Sequence, residues 1–403
     1  MTKWLTIAGM GEDGYEGLSQ RARGAIAQAE VIVGSERLIE FVPETKAEII
    51  LWPQPFSAVI ERIKPLVGRR RTVLLATGDP LNYGVARKIL EFIPFAEMEI
   101  IPHLSAFSLA ASRMGWSLPD CDTLTLHGRH AANIEAFIQP GARLIVLTAD
   151  ATTIPHVCGR LVARGFGESS VTVFENMGGQ FEQKTSFHAQ SIEMKSYSDL
   201  NTLAIECMAG PSARIFSRLA GLPDEAFVHD GQLTKREVRA ATLSALSPAP
   251  GQLLWDVGAG CGSVSIEWMR STRGCEAIAY ESHDERLTMI SQNADALGTP
   301  RLKIVAGEAP GSFAGQPHPH AVFIGGGMGN AGVFEESWAA LKPGGRMAAN
   351  VVTLEGELHV VDLQEKFGGD LVRFDISKLS HVGRLRALRP SMAVLQWRTI
   401  KPW

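Results

Sequence analysis

The sequence predicts an α/β protein of two domains, a bilobed first half and a doubly wound second half. Three observations carry that expectation. Apolar runs of strand length alternate with helical stretches along the chain, the pattern that builds sheets flanked by helices. A break rich in Gly, Pro and Ser interrupts it between about residues 208 and 224. Several strands run directly into glycine-rich turns, where an approaching ligand meets no Cβ. At roughly 100–200 residues per domain, 403 residues suit two or three domains. The domains are placed at residues 1–210 and 221–403.

In the first half the strands are expected at Trp4–Ala8, Val31–Val33, Thr72–Ala76, Met98–Ile101, Leu144–Thr148, Val171–Phe174 and Thr202–Cys207. Helical patterns at Ser19–Ala29, Tyr83–Phe92 and Ser105–Met114 lie between several of them, which implies a largely parallel sheet. Turn residues between Gly115 and Asp122 divide this half into two lobes. The second half opens with a helix from about Lys235 to Leu246. Strands follow at Leu253–Val257, Glu276–Tyr280, Leu302–Val305 and Ala321–Ile324, with helices at Ser263–Met269, Asp284–Leu297 and Val333–Leu341. Arg346–Val352 and Met392–Arg398 read as closing strands.

Composition narrows the class. With 45% hydrophobic and 20% charged residues and a net charge of −4, the chain is an ordinary globular protein. Disordered, collagen-like and disulfide-scaffold classes are excluded. No apolar run reaches the roughly 18 residues of a membrane helix. The short apolar start, Met1–Gly9, runs into glycines and acids and does not read as a secretory leader. The five cysteines are scattered, odd in number and without a CxxC pair. They are expected to be reduced thiols of a cytoplasmic protein with no metal centre. Neither half is basic enough for a duplex-binding protein. No nucleic-acid or membrane partner is expected, and a homo-oligomer is the expected assembly.

The most specific motif is the run from Leu253 to Ser263, an apolar strand followed by Gly258-Ala259-Gly260-Cys261-Gly262 and a helix. The glycine spacing is G-x-G-x-G rather than the G-x-G-x-x-G of dinucleotide sites. Asp256 precedes the first glycine by two residues, and Glu281 ends the next strand, placed to accept hydrogen bonds from ribose hydroxyls. Glu308 and Ala309 end a third strand, where an adenine edge can be read. Three such strand ends suggest S-adenosyl-L-methionine, which has no phosphates to neutralise. A dinucleotide site and a plain doubly wound domain with tight turns are the alternatives.

The run Asp230–Arg239 ahead of this loop, and Phe323–Asn330 with its Gly325-Gly326-Gly327, resemble the decarboxylating precorrin methyltransferase domain. The likeness covers about residues 221–400 and implies a Rossmann-like S-adenosylmethionine-dependent methyltransferase fold. Two positions depart from the pattern: His320 where an acid is frequent, and Cys261 where Thr is. Gly325–Gly327 allow close approach of substrate to backbone, and successive N–H groups there suit a carboxylate. A tight turn before the next helix is the plainer reading. Thr234 and Lys235 are placed to close over the donor or meet an acidic substrate. Thr234 is also a reasonable N-cap, with Glu237 three residues on.

In the first half, Gly9-Met10-Gly11-Glu12-Asp13-Gly14 satisfies G-x-G-x-x-G, but no helix opens on Gly14. Thr77-Gly78-Asp79-Pro80 ends one strand and Pro102-His103-Leu104-Ser105-Ala106 another. These three segments, in this order, resemble the tetrapyrrole methylase family, as does Glu175–Gly179. Glu12 stands where that family often has proline, and His103 where it usually has glycine. The likeness covers roughly residues 1–210 and implies a bilobed domain with the methyl donor in a cleft. It also implies donor contacts from Gly78, Asp79, Ser105 and Ala106, with Thr148 and Ala204 on the far lobe. His127, Arg129 and His130 either face substrate carboxylates or belong to an exposed loop.

The two resemblances together imply an enzyme of cobalamin biosynthesis. It would methylate a precorrin, an acidic tetrapyrrole, at C-5 with the first half. The second half would methylate C-15 and decarboxylate the C-12 acetate. Arg384, Arg386 and Arg389 are candidates for the substrate's carboxylates, with an exposed charge cluster as the alternative. A methyltransferase of RNA or protein and a non-catalytic tetrapyrrole-binding module are the competing functions.

Overall fold

The computed structural model describes residues 3–53, 58–192 and 195–403. It forms two compact units. One comprises Met1–Ala131 and Gln139–Arg214, the other Ala132–Ile138 and Ile215–Trp403.

The first unit holds two five-stranded sheets. β1 (Leu5–Met10), β2 (Val31–Gly34), β3 (Glu48–Leu51), β4 (Thr72–Thr77) and β5 (Met98–Ile101) pair in parallel, in the order β3-β2-β4-β1-β5. β1 lies between β4 and β5 and is apolar on both faces because both are covered. Leu5, Ile7 and Leu74 pack on one side, Ala8, Met10 and Leu75 on the other. The ends of these three strands therefore meet. The helix Ala106–Met114 follows β5. The Ser105 hydroxyl caps it by accepting from Ser108 N at 3.2 Å, and Gly115 ends it in the left-handed region.

The second sheet comprises β6 (Asp122–Thr125), β7 (Arg143–Leu147), β8 (Ser170–Glu175), β9 (Gln183–His188) and β10 (Asn201–Glu206), ordered β6-β7-β10-β8-β9. It is mixed, a correction to the largely parallel expectation. Only β6 and β7 pair in parallel. The short link Asn176–Glu182 contains no helix, and such a link joins only antiparallel neighbours. Phe107 and Ala110 of the helix pack with Ile145, Phe174 and Ala204 of this sheet.

The second unit is built on β11 (Leu253–Val257), β12 (Glu276–Glu281), β13 (Lys303–Ala306), β14 (Ala321–Ile324), β15 (Arg346–Val351) and β16 (Asp370–Phe374). A separate hairpin, β17 (Ser377–Val382) and β18 (Leu385–Pro390), precedes β19 (Val394–Ile400). The seven-stranded order is β13-β12-β11-β14-β15-β19-β16, with β19 antiparallel to both of its neighbours and the rest parallel. Strand order reverses between β11 and β14. Ligands of open α/β sheets bind beyond the strand ends at such a switch point, and both glycine-rich runs lie there.

Candidate functional site

In the second unit, Gly258 follows β11 and Gly325 follows β14. Gly258 has φ +70°, and a Cβ on it would stand 2.9 Å from Gly326 N. The two loops thus touch backbone to backbone, which no larger residue at 258 permits. Asp256 sits behind them. Its Oδ2 accepts from Ser265 N at 3.0 Å and from Ser265 Oγ at 2.6 Å, and burial pushes its carboxyl up to about 6. Glu281, also buried, accepts from Gly260 N at 2.8 Å through one oxygen. The other accepts from Ser282 N at 2.9 Å and His283 N at 3.1 Å. In this state the carboxylate secures the loop.

A cavity of 650 Å³ opens in front of Gly258–Gly260. Gln232, Thr234 and Lys235 line it from the segment before the first helix, Asn350 from β15, and Lys378 and Met392 from the base of the hairpin. Its volume lies within the usual range for small-molecule sites, and backbone rather than side chain faces the ligand at the glycine loop. The residues present therefore fit a nucleoside-containing methyl donor. Lys378 pairs with Glu237 at 3.3 Å, and Arg286, another lining residue, pairs with Asp230 at 2.8 Å.

The wall carrying Thr234 and Lys235 is held from below. Arg239, fully buried, donates through Nε to Glu267 at 2.7 Å and lies 3.2 Å from Asp224. It also donates to the Thr234 carbonyl at 2.5 Å. Glu267 in turn accepts from Gly221 N and Leu222 N. The expected capping box does not form. The helix is Arg236–Leu246, Lys235 occupies the cap position without a side-chain bond, and Asp224 accepts from Arg236 N at 3.0 Å instead. Lys235 Nζ donates to the Gly231 carbonyl at 3.2 Å.

Of the residues expected here, Thr234, Lys235, Gly258, Ala259 and Gly260 line the cavity. Gly325–Gly327 are not among the lining residues; Gly325 and Gly326 stand against Gly258, and Gly327 against Asn330. Cys261 is core, and Gly262 packs on Ile290. Glu308 is exposed, and neither it nor Ala309 lines the cavity. Arg384 and Arg386 lie exposed at the far end of the hairpin, away from the lining residues at its base. Lys378, ahead of them in the same hairpin, is the basic residue that reaches the cavity, together with Lys235 and Arg286. Asn350 was not anticipated. Its signal is a lone amide in the apolar run Met347-Ala348-Ala349-Asn350-Val351. His320 lies at the start of β14, opposite the glycine end. It accepts from Leu253 N at 3.1 Å, and burial with Lys342 and Arg346 lowers its pKa.

In the first unit the strand ends converge as the motifs imply. A Cβ on Gly9 would stand 2.1 Å from the Gly78 carbonyl and 2.8 Å from His103 N. His103 Nε2 lies 3.1 Å from Asp13 Oδ1. Glu12 pairs with Arg37, which donates to Thr77 Oγ1 at 2.9 Å. Both departures from the family pattern are thus used to bind the first loop to its neighbours. A cavity of 60 Å³ lies between Gly11, Gly78 and Ala106 on one side and Met177, Asn201 and Thr202 on the other. That volume admits a few waters. A donor of nucleoside size requires side chains such as Met177 to move.

Asp79 does not line this cavity; its carboxylate closes a turn by accepting from Leu81 N at 2.9 Å. Ser105 is the helix cap, and Thr148 donates to the Asn201 carbonyl at 2.8 Å. Ala204 lies in the core beneath Phe107, while Thr202, two residues earlier, faces the cavity. His127, Arg129 and His130 are exposed. Among the described residues no cluster of His, Cys, Asp and Glu is arranged for a metal ion, and no helix is long and apolar enough to cross a membrane.

Residues 5–192 match the family model described as tetrapyrrole (corrin/porphyrin) methylases, and residues 225–401 match the precorrin methyltransferase domain. A precorrin-6Y C(5,15)-methyltransferase [decarboxylating] of a Sinorhizobium species is 42% identical over 404 residues, covering 100% of this chain and 97% of that one. Its namesake from Mycobacterium tuberculosis is 34% identical over 98% of this chain and 100% of that one. The crystal structure of the C-terminal domain of precorrin-6Y C5,15-methyltransferase from Rhodobacter capsulatus is 44% identical, with a TM-score of 0.44, covering 46% of this chain and 100% of that one. With full-length identity at this level and both halves matched, the chain belongs to the family of decarboxylating precorrin-6Y C5,15-methyltransferases.

Proposed function

We propose that this chain transfers methyl groups from S-adenosyl-L-methionine to C-5 and C-15 of a precorrin and releases the carboxyl of the C-12 acetate as carbon dioxide. We assign C-5 to the first unit, and C-15 with decarboxylation to the second. The observation that carries the reading is the cavity in front of Gly258–Gly260, which joins a backbone-lined donor wall to a rim bearing Lys235, Arg286 and Lys378. Family membership favours neither an RNA or protein methyltransferase nor a non-catalytic module.

S-adenosylmethionine supplies an electrophilic methyl group; the other demands fall on the protein. A pyrrolic carbon is electron-rich enough to attack that methyl without a metal. The protein must hold the two in line and exclude water. Lys235, Arg286 and Lys378 are cations suited to the peripheral carboxylates of the macrocycle. Decarboxylation breaks the bond between the acetate methylene and its carboxyl. The electron pair enters the conjugated ring, carbon dioxide leaves, and a proton from solvent completes the methyl group. Acetate and C-15 lie on one edge of the ring, so one pocket serves both, whereas C-5 lies across it.

The test is mass spectrometry of the product formed from precorrin-6Y with labelled donor. Two labelled methyl groups gained and one carbon dioxide lost are expected; no methyl transfer would overturn the reading. Gly326→Val tests the division of labour. A Cβ there meets only Gly258 Cα at 3.9 Å, so alanine fits, while a branched side chain crowds the contact with the Gly258–Gly260 loop that forms the cavity wall. C-15 methylation and carbon dioxide release should fall together, with C-5 methylation retained.

A further inference from the structure

Asn350 is the polar side chain that β15 presents to the second-unit cavity. It follows Ala349, which pairs with Ile324, so it stands beside the strand end from which Gly325–Gly327 depart. Both ends of its amide are fixed. Nδ2 donates to Thr242 Oγ1 at 3.0 Å, and Oδ1 accepts from Gln396 Nε2 at 2.8 Å. Gln396 also donates to Thr242 Oγ1 at 3.0 Å, and Thr242 donates onward to the Val238 carbonyl at 2.8 Å. Thr242 and Gln396 are both fully buried.

This network joins a helix and two strands, and it is costly. Gln396 spends its amide hydrogens on it, and its own Oε1 is left buried without a partner among the described residues. An unsatisfied buried acceptor costs about 1–3 kcal/mol. What the arrangement secures is the orientation of one amide at the cavity wall, with a second Nδ2 hydrogen beyond the bond to Thr242.

Resting on the function proposed above, we propose that Asn350 binds the acetate carboxylate that leaves as carbon dioxide. The chemistry favours a neutral donor at this point. Negative charge departs from the carboxylate as the bond breaks, so a cation held against it would stabilise the ground state more than the transition state and slow the step. A neutral amide fixes the carboxylate's direction with much less of that penalty. The cations of the cavity, Lys235, Arg286 and Lys378, sit on other segments and suit carboxylates that do not react. Asn350 is thus a substrate-binding residue, and Gln396 and Thr242 are positioning residues that act through it.

The test uses the full-length chain with precorrin-6Y and labelled donor. It measures carbon dioxide release, methylation at each carbon, and the number of donor sites by calorimetry. In Asn350→Ala, carbon dioxide release should fall roughly 100-fold, the scale of losing the orientation of a reacting group. C-5 methylation and donor stoichiometry should be retained. Asn350→Asp keeps the shape but opposes the substrate's charge. It should be as impaired near neutral pH and recover partly as the pH falls and the new carboxyl gains a proton it can donate. Gln396→Leu should lower the turnover of decarboxylation more than its KM, a split that loss of packing alone does not produce. Carbon dioxide release within threefold of wild type in both Asn350 variants, with donor stoichiometry intact, overturns the proposal. A wild-type chain that neither methylates nor decarboxylates would instead overturn the reading of function.

Discussion

Asp256 carries a measurable signature of its burial. Its carboxyl is raised from 3.8 to about 6, chiefly by desolvation, with Ser265 opposing. The folded state therefore holds this proton more tightly than the unfolded chain. The group's contribution to stability is complete below about pH 3, declines as the pH rises through 4 to 6, and is gone above about pH 7. Asp256→Asn removes that slope. The stability difference between variant and wild type should shift in the variant's favour by about 3 kcal/mol in all between about pH 3 and pH 7, with about 2 of it between pH 4 and pH 6. Denaturant melts across that range check it. A parallel pair of curves would contradict the burial argument.

At the scale of elements, the helix Arg236–Leu246 owes its place to charges far from it in sequence. Arg239→Met leaves Glu267 buried without its cation, and removing one partner of a buried pair typically costs about 3–5 kcal/mol. A clear fall in melting temperature is expected. The double variant with Glu267→Gln should recover part of it, which a simple packing defect would not. The same helix shows where sequence reasoning stops. Thr234-x-x-Glu237 has the spacing of a capping box, yet Asp224 supplies the cap from twelve residues upstream. β11 and β14 are legible because their apolar runs end in glycine, a purely local signal. The hairpin β17–β18 is not, because it is almost wholly exposed and no buried face imposes an alternation. Gly258–Gly260 could be read for the same local reason as the strands. Asn350 and Lys378 could not, since they reach the cavity from strands distant in the chain, and only the sheet order brings them there.

For the whole molecule the decisive question is where the units part. Phe216 is buried in the second unit's core, and Arg270 donates to the carbonyls of Phe216 and Ser217 at 2.8 and 3.2 Å. A fragment beginning at residue 221 loses these contacts, and deleting a buried Phe costs about 3–5 kcal/mol. Residues 215–403 should therefore be soluble and bind one donor. Residues 221–403 should melt markedly lower or aggregate. Neither should match the full chain, because the second unit also takes in Ala132–Ile138. Equal melting temperatures for the two fragments would show that residues 215–220 contribute nothing.

The amide-held carboxylate of Glu281 has a consequence in the language of isotope exchange. Its oxygens hold the amide hydrogens of Gly260, Ser282 and His283. A ribose that docks on this carboxylate competes with them for its lone pairs. Donor binding should then leave a mixed trace in deuterium uptake. The surrounding glycine loop slows as it is covered, while one or more of these three amides speeds up. Uniform slowing of all three would mean that the sugar hydroxyls find their acceptors elsewhere and that Glu281 remains a brace for the loop throughout turnover.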